Sequence, residues 1–430
     1  MKPTDELPHI VIIGGGFGGL YCAKFLVKLP VRVTLIDRRN FHLFQPLLYQ
    51  VATGGLSPGD IASPLRSIFK RNPNMQVLKA QVTELDPDQK KVVYEGGTLS
   101  YDYLVVATGV KHHYFGNESW SHRAPGLKTV EDALVMRQHI LRAFEKAELE
   151  KDPERRAALL RFVIVGGGPT GVELAGALAE LAHATMKREF REFQSRQAEI
   201  ILVEGVDQVL PSYPKALANK AAASLRKLGV LIKLETRVTE IEPEKIKLQP
   251  KSGPAESLSA ATVLWAAGVK ATRFGEALAE RTGSERDRTG RIVVSPDLSL
   301  PKHPEIFVIG DLAHFKAKNG TPLPGVAPVA MQQGRHLARM FRNKLAGKPT
   351  KAFRYINKGS LAVIGRNAAV AELPLGRLWG WPAWMAWAFI HIHYLIGFGN
   401  KFLVGFQWFW NYITKKRGAR LITEEDLGEL

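Results

Sequence analysis

Cysteine is almost absent: one residue, Cys22, in a chain of 430. A lone thiol excludes an internal disulfide, a CxxC redox pair, and any four-cysteine iron–sulfur or zinc centre. Acidic residues are scarce beside basic ones, 41 against 59, which leaves a formal charge of +18. That field attracts anions: nucleic acid, an acidic lipid surface or phosphate-bearing cofactors, and charge alone does not choose between them. Low-complexity tracts and long linkers are missing too, and with 45% hydrophobic and 23% charged residues the composition is that of a compact protein. The length allows about three domains at ~150 residues each. Met1 to His9 is polar and Ile10 to Ile13 is too short for a signal-peptide core, so nothing marks the chain for export. His112 and His113 are adjacent, a spacing at which two imidazoles seldom converge on one ion; they read as loop residues and no metal site is expected.

What is present is one pattern used twice. Ile10 to Ile13 reads as a buried strand that runs into Gly14-Gly15-Gly16-Phe17-Gly18-Gly19 and then a helix through Leu29. A second strand, Val31 to Leu35, ends at Asp37, roughly twenty residues past the first glycine. The same order returns with Arg161 to Val165, Gly166-Gly167-Gly168-Pro169-Thr170-Gly171, a helix through Ala182, and a strand Ile200 to Val203 ending at Glu204. A third matched pair, Tyr103 to Gly109 and Thr262 to Gly268, recurs at nearly the same offset.

Glycine is needed in such a loop because a β-carbon would block both the tight turn and the approach of a pyrophosphate, whose charge is met by free N–H groups at the helix start. A carboxylate at the end of the next strand accepts hydrogen bonds from ribose hydroxyls and repels a 2′-phosphate, so Glu204 favours NADH over NADPH. The expected fold is α/β, two Rossmann-type dinucleotide-binding domains with a C-terminal helical, membrane-docking segment.

These residues resemble the type II NADH dehydrogenases, within the flavin oxidoreductases that carry two dinucleotide domains. The resemblance covers nearly the whole chain. It rests on Gly14 to Gly19, on the run FHLFQPLLYQVATG from Phe41 to Gly54, on Gly166 to Gly171 with Glu173, on Gly310-Asp311, and on the C-terminal tail. It implies FAD in the first domain, held by Gly14, Gly16, Gly19, Asp37 and Arg38, with Pro46, Leu47 and Thr53 beside the flavin ring. Ala107, Thr108 and Gly109 line the same site, and Gly310 and Asp311 meet the ribityl chain. NADH is expected at Gly166, Gly168, Gly171, Glu204, Ala267 and Gly268. The FAD domain is expected over 1–111 and 291–345, the NADH domain over 112–290, and a membrane-associating region over 346–430. Glu173 has two readings: a first-turn carboxylate that suits the helix dipole, or, as the resemblance implies, a group facing the nicotinamide and flavin stack that orients the donor or relays a proton. Because hydride transfer is cofactor chemistry, the protein's part is position and electrostatics.

Leu378 to Phe398 contains no Lys, Arg, Asp or Glu over 21 residues, long enough for a transmembrane helix. Six of the eight tryptophans lie from Trp379 to Trp410, and tryptophan suits the headgroup level. His391 and His393 would be costly inside a bilayer. Three readings stand: a helical pair lying in the membrane interface, a single span, and a buried core or dimer element. Lys415, Lys416, Arg417 and Arg420 follow and would suit an anionic leaflet. The resemblance points to a monotopic protein, expected on the cytoplasmic face of the cell membrane. By the same resemblance Lys401 reaches back to the flavin; a snorkelling lysine is the alternative. The family often has Ala-Gln-x-Ala-x-Gln where this chain has Ala327-Pro328-Val329-Ala330-Met331-Gln332, so Pro328 removes one amide of a quinone clamp and Gln332 remains. His183 to Gln197 reads as a solvated helix extension with an apolar stripe. The function expected is NADH to FAD to a membrane quinone without proton pumping, with no nucleic-acid partner and a two-fold dimer as the base-rate assembly. The rivals are a reductase that serves a soluble carrier protein and a sensor that binds both dinucleotides without turnover.

Overall fold

The computed structural model describes residues 7–396, 398–414 and 417–422. They form two compact units, one of residues 1–43, 62–111 and 269–357, the other of 44–61, 112–268 and 358–430. Each is built around a mainly parallel sheet whose central strand is a short run with four consecutive apolar residues.

In the first unit that strand is His9–Ile13, with Arg32–Asp37 and then Met75–Lys79 on one side, Tyr103–Val106, His303–Val308 and the antiparallel edge Ser299–Leu300 on the other. Both faces of the strand are buried, which is why His-Ile-Val-Ile-Ile runs apolar rather than alternating. Helix Phe17–Leu26 covers one face and is itself covered by helix Ala327–Leu345. Gly334 permits the close approach, since a β-carbon there would lie 2.4 Å from the Gly18 carbonyl oxygen.

The second unit repeats the plan with four parallel strands in the order Val230–Lys233, Glu199–Val203, Arg161–Val165, Thr262–Trp265. Registers match across the repeat: Ile10 pairs with Tyr103 and Arg161's neighbour Phe162 pairs with Thr262. Each unit also carries a three-stranded antiparallel meander, at 82–100 and at 236–259, a part of the repeat not seen in the sequence.

Some expectations are corrected. Leu378 to Phe398 is not one helix. Ser360–Gly365, Ala368–Leu373 and Gly376–Gly380 form an antiparallel sheet, so the uncharged run begins in a strand, and helix Trp381–Tyr394 follows only after Gly380, at φ 69°. A second helix spans Phe398–Thr414, and no helix among the described residues is long and apolar enough to cross a membrane. His183 to Gln197 does not extend its helix. Helix Pro169–Glu180 gives way to a π turn, Leu181–Thr185, and the apolar stripe is a stack of Phe190 and Phe193 against Phe144. The Ser195 hydroxyl closes that turn by donating to the Ala182 carbonyl. His112 is no free loop residue: it ends strand Val110–His112 and bonds to Asp132, which completes the capping box with Thr129 at the start of helix Val130–Leu149.

Candidate functional site

The first glycine loop is shaped by backbone contacts that leave no room for side chains. Gly14 has φ 105° and donates its N–H to the Ile36 carbonyl at 2.8 Å. A β-carbon at Gly14 would lie 2.4 Å from the Ala107 oxygen, and one at Gly19 only 1.8 Å from the Gly14 oxygen. The Asp37 carboxylate accepts from the Gly15 N–H at 2.6 Å and the Arg39 N–H at 2.7 Å, while Arg38 is exposed. His42 fixes the loop from below: its Nδ1 lies 2.9 Å from the Gly15 carbonyl. A carbonyl only accepts, so Nδ1 carries the proton; burial pushes the ring's pKa down to about 4 and keeps it neutral.

Helix Phe17–Leu26 begins at Gly16 with no side-chain cap, and nothing stands within 4 Å of where a Gly16 β-carbon would be. The positive end of the helix dipole is therefore uncapped, with open space beside Gly16, an arrangement that fits a pyrophosphate.

The second loop copies the first. Gly166 has φ 109° and bonds to the Val203 carbonyl at 2.8 Å; a β-carbon at Gly171 would lie 1.8 Å from the Gly166 oxygen. Glu204 accepts from the Gly167 N–H at 2.6 Å and the Val206 N–H at 3.1 Å. Gly168, the uncapped start of helix Pro169–Glu180, again has nothing within 4 Å. Where His42 holds Gly15, the Leu210 N–H holds the Gly167 carbonyl at 2.7 Å.

Around the first loop the structure gathers several expected residues. Ala107 abuts Gly14, Thr108 Oγ lies 3.2 Å from Thr272 Oγ, and Gly109 turns the chain at φ 67°. Ile309, at the end of its strand, packs against Gly18, so Gly310 and Asp311 emerge beside the loop. Gln333, missed in the sequence, accepts the Gly310 N–H at 2.7 Å through its buried amide. Its neighbour Gln332 instead exchanges two bonds with the backbone of Ile356, at 2.9 and 3.0 Å. Adjacent residues on a helix point about 100° apart, and that was the available signal. Pro328 lies in the first turn of helix Ala327–Leu345, where a missing N–H costs nothing.

The segment with Pro46, Leu47 and Thr53 packs within the second unit, where helix Leu48–Ala52 lies against helix Pro169–Glu180. Leu47 and Thr53 are buried, and the Thr53 hydroxyl donates to the Tyr49 carbonyl. Glu173 is the fifth residue of helix Pro169–Glu180, past its first turn where the helix dipole acts most strongly, and accepts the Val363 N–H at 3.5 Å. Protein crowded around its carboxyl raises its pKa to about 8, so it is mostly protonated at neutral pH. Burial, and then Glu173, raise the Tyr49 phenol well above its ordinary value. Ala267 and Gly268 follow strand Thr262–Trp265, with Gly268 at φ 65°. Lys401 donates to the His393 carbonyl at 2.6 Å, a local bond between the two C-terminal helices.

The basic tail needs correction. Arg417 bonds to Glu180 at 3.2 Å and to the Thr53 carbonyl at 3.2 Å, with its side chain 14% exposed. Arg420 pairs with Glu189 at 2.5 Å, and the intervening Ala419 bonds to Gly54 and to Arg137. Both charges are paired with carboxylates of the protein, Arg417 in the interior and Arg420 at the surface; Lys415 and Lys416 lie outside the described residues.

Two glycine loops, each with an uncapped helix start and a strand-end carboxylate, define an oxidoreductase with two dinucleotide sites. Residues 8–334 match the family model of pyridine nucleotide-disulphide oxidoreductases, and 357–416 match the NDH2 C-terminal domain. The chain is 43% identical to the type II NADH:quinone oxidoreductase Ndh of Mycobacterium tuberculosis, over 99% of this chain and 93% of that one. It is 28% identical to the external NADH-ubiquinone oxidoreductase 2 of Saccharomyces cerevisiae mitochondria, over 93% and 80% of the two chains. The structure of NDH2 from Plasmodium falciparum in complex with NADH superposes with a TM-score of 0.87 at 22% identity, over 97% of this chain and 100% of that one, and so shares the fold. The chain belongs to the type II NADH:quinone oxidoreductases, and a reductase serving a soluble carrier is not favoured.

Proposed function

We propose that this chain oxidises NADH and reduces a quinone without pumping protons, with FAD on the first glycine loop and NADH on the second. The observation that carries the reading is the duplicated loop, with open space before each helix start and a carboxylate at each strand end. FAD, when bound, accepts a hydride from NADH and releases two electrons to the quinone. The residues present fit that cofactor: Gly14 to Gly19 leave the space, Asp37 meets a ribose, and Gly310-Asp311 reaches the ribityl chain. Glu204 faces the NADH ribose and disfavours a 2′-phosphate. Glu173, mostly neutral at pH 7 and half-buried against strand Ser360–Gly365, can hold or give up a proton as the substrate pair reacts.

The helices Trp381–Tyr394 and Phe398–Thr414 are the proposed docking element for an anionic membrane on its cytoplasmic side. Trp381, Met385, Phe389, Phe402, Phe409 and Trp410 are exposed, an apolar surface that water does not favour and a bilayer interface does. Trp387 stacks on Trp408 across the two helices and lies beside His391, whose pKa burial pushes down to about 4, so this aromatic contact is uncharged. A two-fold dimer is the expected assembly.

The test is steady-state oxidation of NADH and NADPH by the FAD-loaded chain with and without a short-chain quinone, beside vesicle sedimentation of the parent and of Phe389→Ser/Phe402→Ser/Trp410→Ser. Quinone-dependent turnover that prefers NADH, with vesicle binding lost in the triple variant, is expected. Flavin reduction without any quinone reaction would contradict the catalytic reading, and unchanged sedimentation the docking.

A further inference from the structure

Phe115 is held in a conformation that its side chain opposes. The Asn117 N–H bonds to the Tyr114 carbonyl at 3.0 Å, closing a turn in which Phe115 has φ 53° and Gly116 φ 93°. A turn with both central residues left-handed belongs to Asn, Asp and Gly; a β-carbon and a benzyl group strain it. The ring gains little burial in exchange, since Phe115 is 61% exposed. Its neighbour Tyr114 does the packing, with its ring 4.9 Å from Trp265 and its hydroxyl donating to the Ala124 carbonyl.

The strained turn is fastened to one place. The His113 N–H bonds to the Gly268 carbonyl at 3.3 Å, and the Trp265 indole N–H donates to the His113 carbonyl at 3.2 Å. The Phe115 ring lies over Gly268, so close that a β-carbon there would come within 2.7 Å of Cζ. His113 flanks the ring at 4.7 Å between centroids. An exposed aromatic kept in a strained backbone by its surroundings is the kind of outlier that marks a binding site.

Position in the sheet says what it would bind. Strand Arg161–Val165, which feeds the glycine loop, lies between Glu199–Val203 and Thr262–Trp265. A dinucleotide crosses the carboxyl ends with its pyrophosphate at the central strand. Glu204 ends one neighbour and takes the adenosine ribose, so the nicotinamide half extends toward the other, past Gly268. We propose that Phe115 is a binding residue that presents a flat apolar face to the nicotinamide half of NADH. This rests on the second loop being the NADH site.

The test uses the FAD-loaded full chain with Phe115→Asn, which suits the turn, and Phe115→Tyr, which keeps the ring. Kinetics with NADH and quinone, calorimetric binding of NAD+, competition by ADP-ribose and thermal melting are measured together. Phe115→Asn is expected to melt at a higher temperature than the parent, while its KM for NADH and Kd for NAD+ rise about three- to ten-fold, the worth of one aromatic contact. ADP-ribose, which lacks the nicotinamide, should bind unchanged, and Phe115→Tyr should stay near the parent. Unchanged NADH and NAD+ affinity in Phe115→Asn overturns the proposal, as does an equal loss for ADP-ribose. If the parent itself binds neither NADH nor NAD+, the functional reading falls and this one with it.

Discussion

The two glycine loops share their hydrogen bonds and close contacts yet differ in what covers the helix behind each. Helix Phe17–Leu26 is covered by helix Ala327–Leu345 at Gly334. Helix Pro169–Glu180 is covered by strand Ser360–Gly365, and a β-carbon at Gly176 would fall 1.6 Å from the Ile364 oxygen. The sheet lid lies over the second turn and partly covers Glu173, whereas the first helix has no acidic residue along its length. One backbone design thus yields a helix without an acidic group and one that carries a carboxylic acid with a raised pKa. The lesson is that the loop determines which ligand class binds, and the layer behind the helix determines what chemistry stands beside it.

The largest effects should come from the shared contacts. Gly19→Ala and Gly171→Ala each force a methyl against a carbonyl oxygen at 1.8 Å and should destabilise by ~3 kcal/mol or prevent folding, as read by thermal melting and yield. Survival of either without a change in melting would break the equivalence of the loops.

Next in size is the internal ion pairing of the tail. Arg417→Gln leaves Glu180 with a weaker partner and should cost on the order of 2 kcal/mol, while vesicle binding is unchanged because this charge never faces lipid. Gln333→Ala strands the Gly310 N–H and should cost ~1–3 kcal/mol with loss of FAD from the purified protein, a loss that Gln332→Ala should not reproduce.

Glu173 sharpens the comparison through pH. Its folded pKa is raised, so between the ordinary 4.5 and about 8 the folded state holds more protons than the unfolded one, and stability from this group falls as pH rises through that window. Glu173→Gln should therefore melt progressively higher than the parent from pH 5 to 8, by a few degrees at the top. Parallel pH profiles would show that the carboxyl is not enclosed. The smallest change expected is in selectivity: Glu204→Gln removes the charge that repels a 2′-phosphate, and the NADH-to-NADPH ratio of kcat/KM should fall by about ten-fold.

The loops were legible in the sequence because their requirements are local: a buried strand, glycines that no other residue can replace, and an acid at the next strand end. The 360–380 sheet was not, because its last strand, Gly-Arg-Leu-Trp-Gly, merges with the aromatic run that follows and reads as one helix by composition. The roles of Arg417 and Arg420 were hidden for another reason. A basic tail looks solvated unless one knows that Glu180 and Glu189 are folded beside it, and that is tertiary information. The stripe at Phe190 and Phe193 was correctly seen as apolar, but the Ser195 turn lets it pack on Phe144 without a helix.

The assignment of one cofactor to each loop is tested most directly by Gly16→Ala and Gly168→Ala. Neither methyl would meet a protein atom within 4 Å, so both variants should fold and melt as the parent does. Flavin content after purification and affinity for NAD+ are then measured on each. The account predicts a crossed result: Gly16→Ala loses FAD, while Gly168→Ala keeps its FAD and loses affinity for NAD+. Loss of FAD in both, or in Gly168→Ala alone, would contradict it.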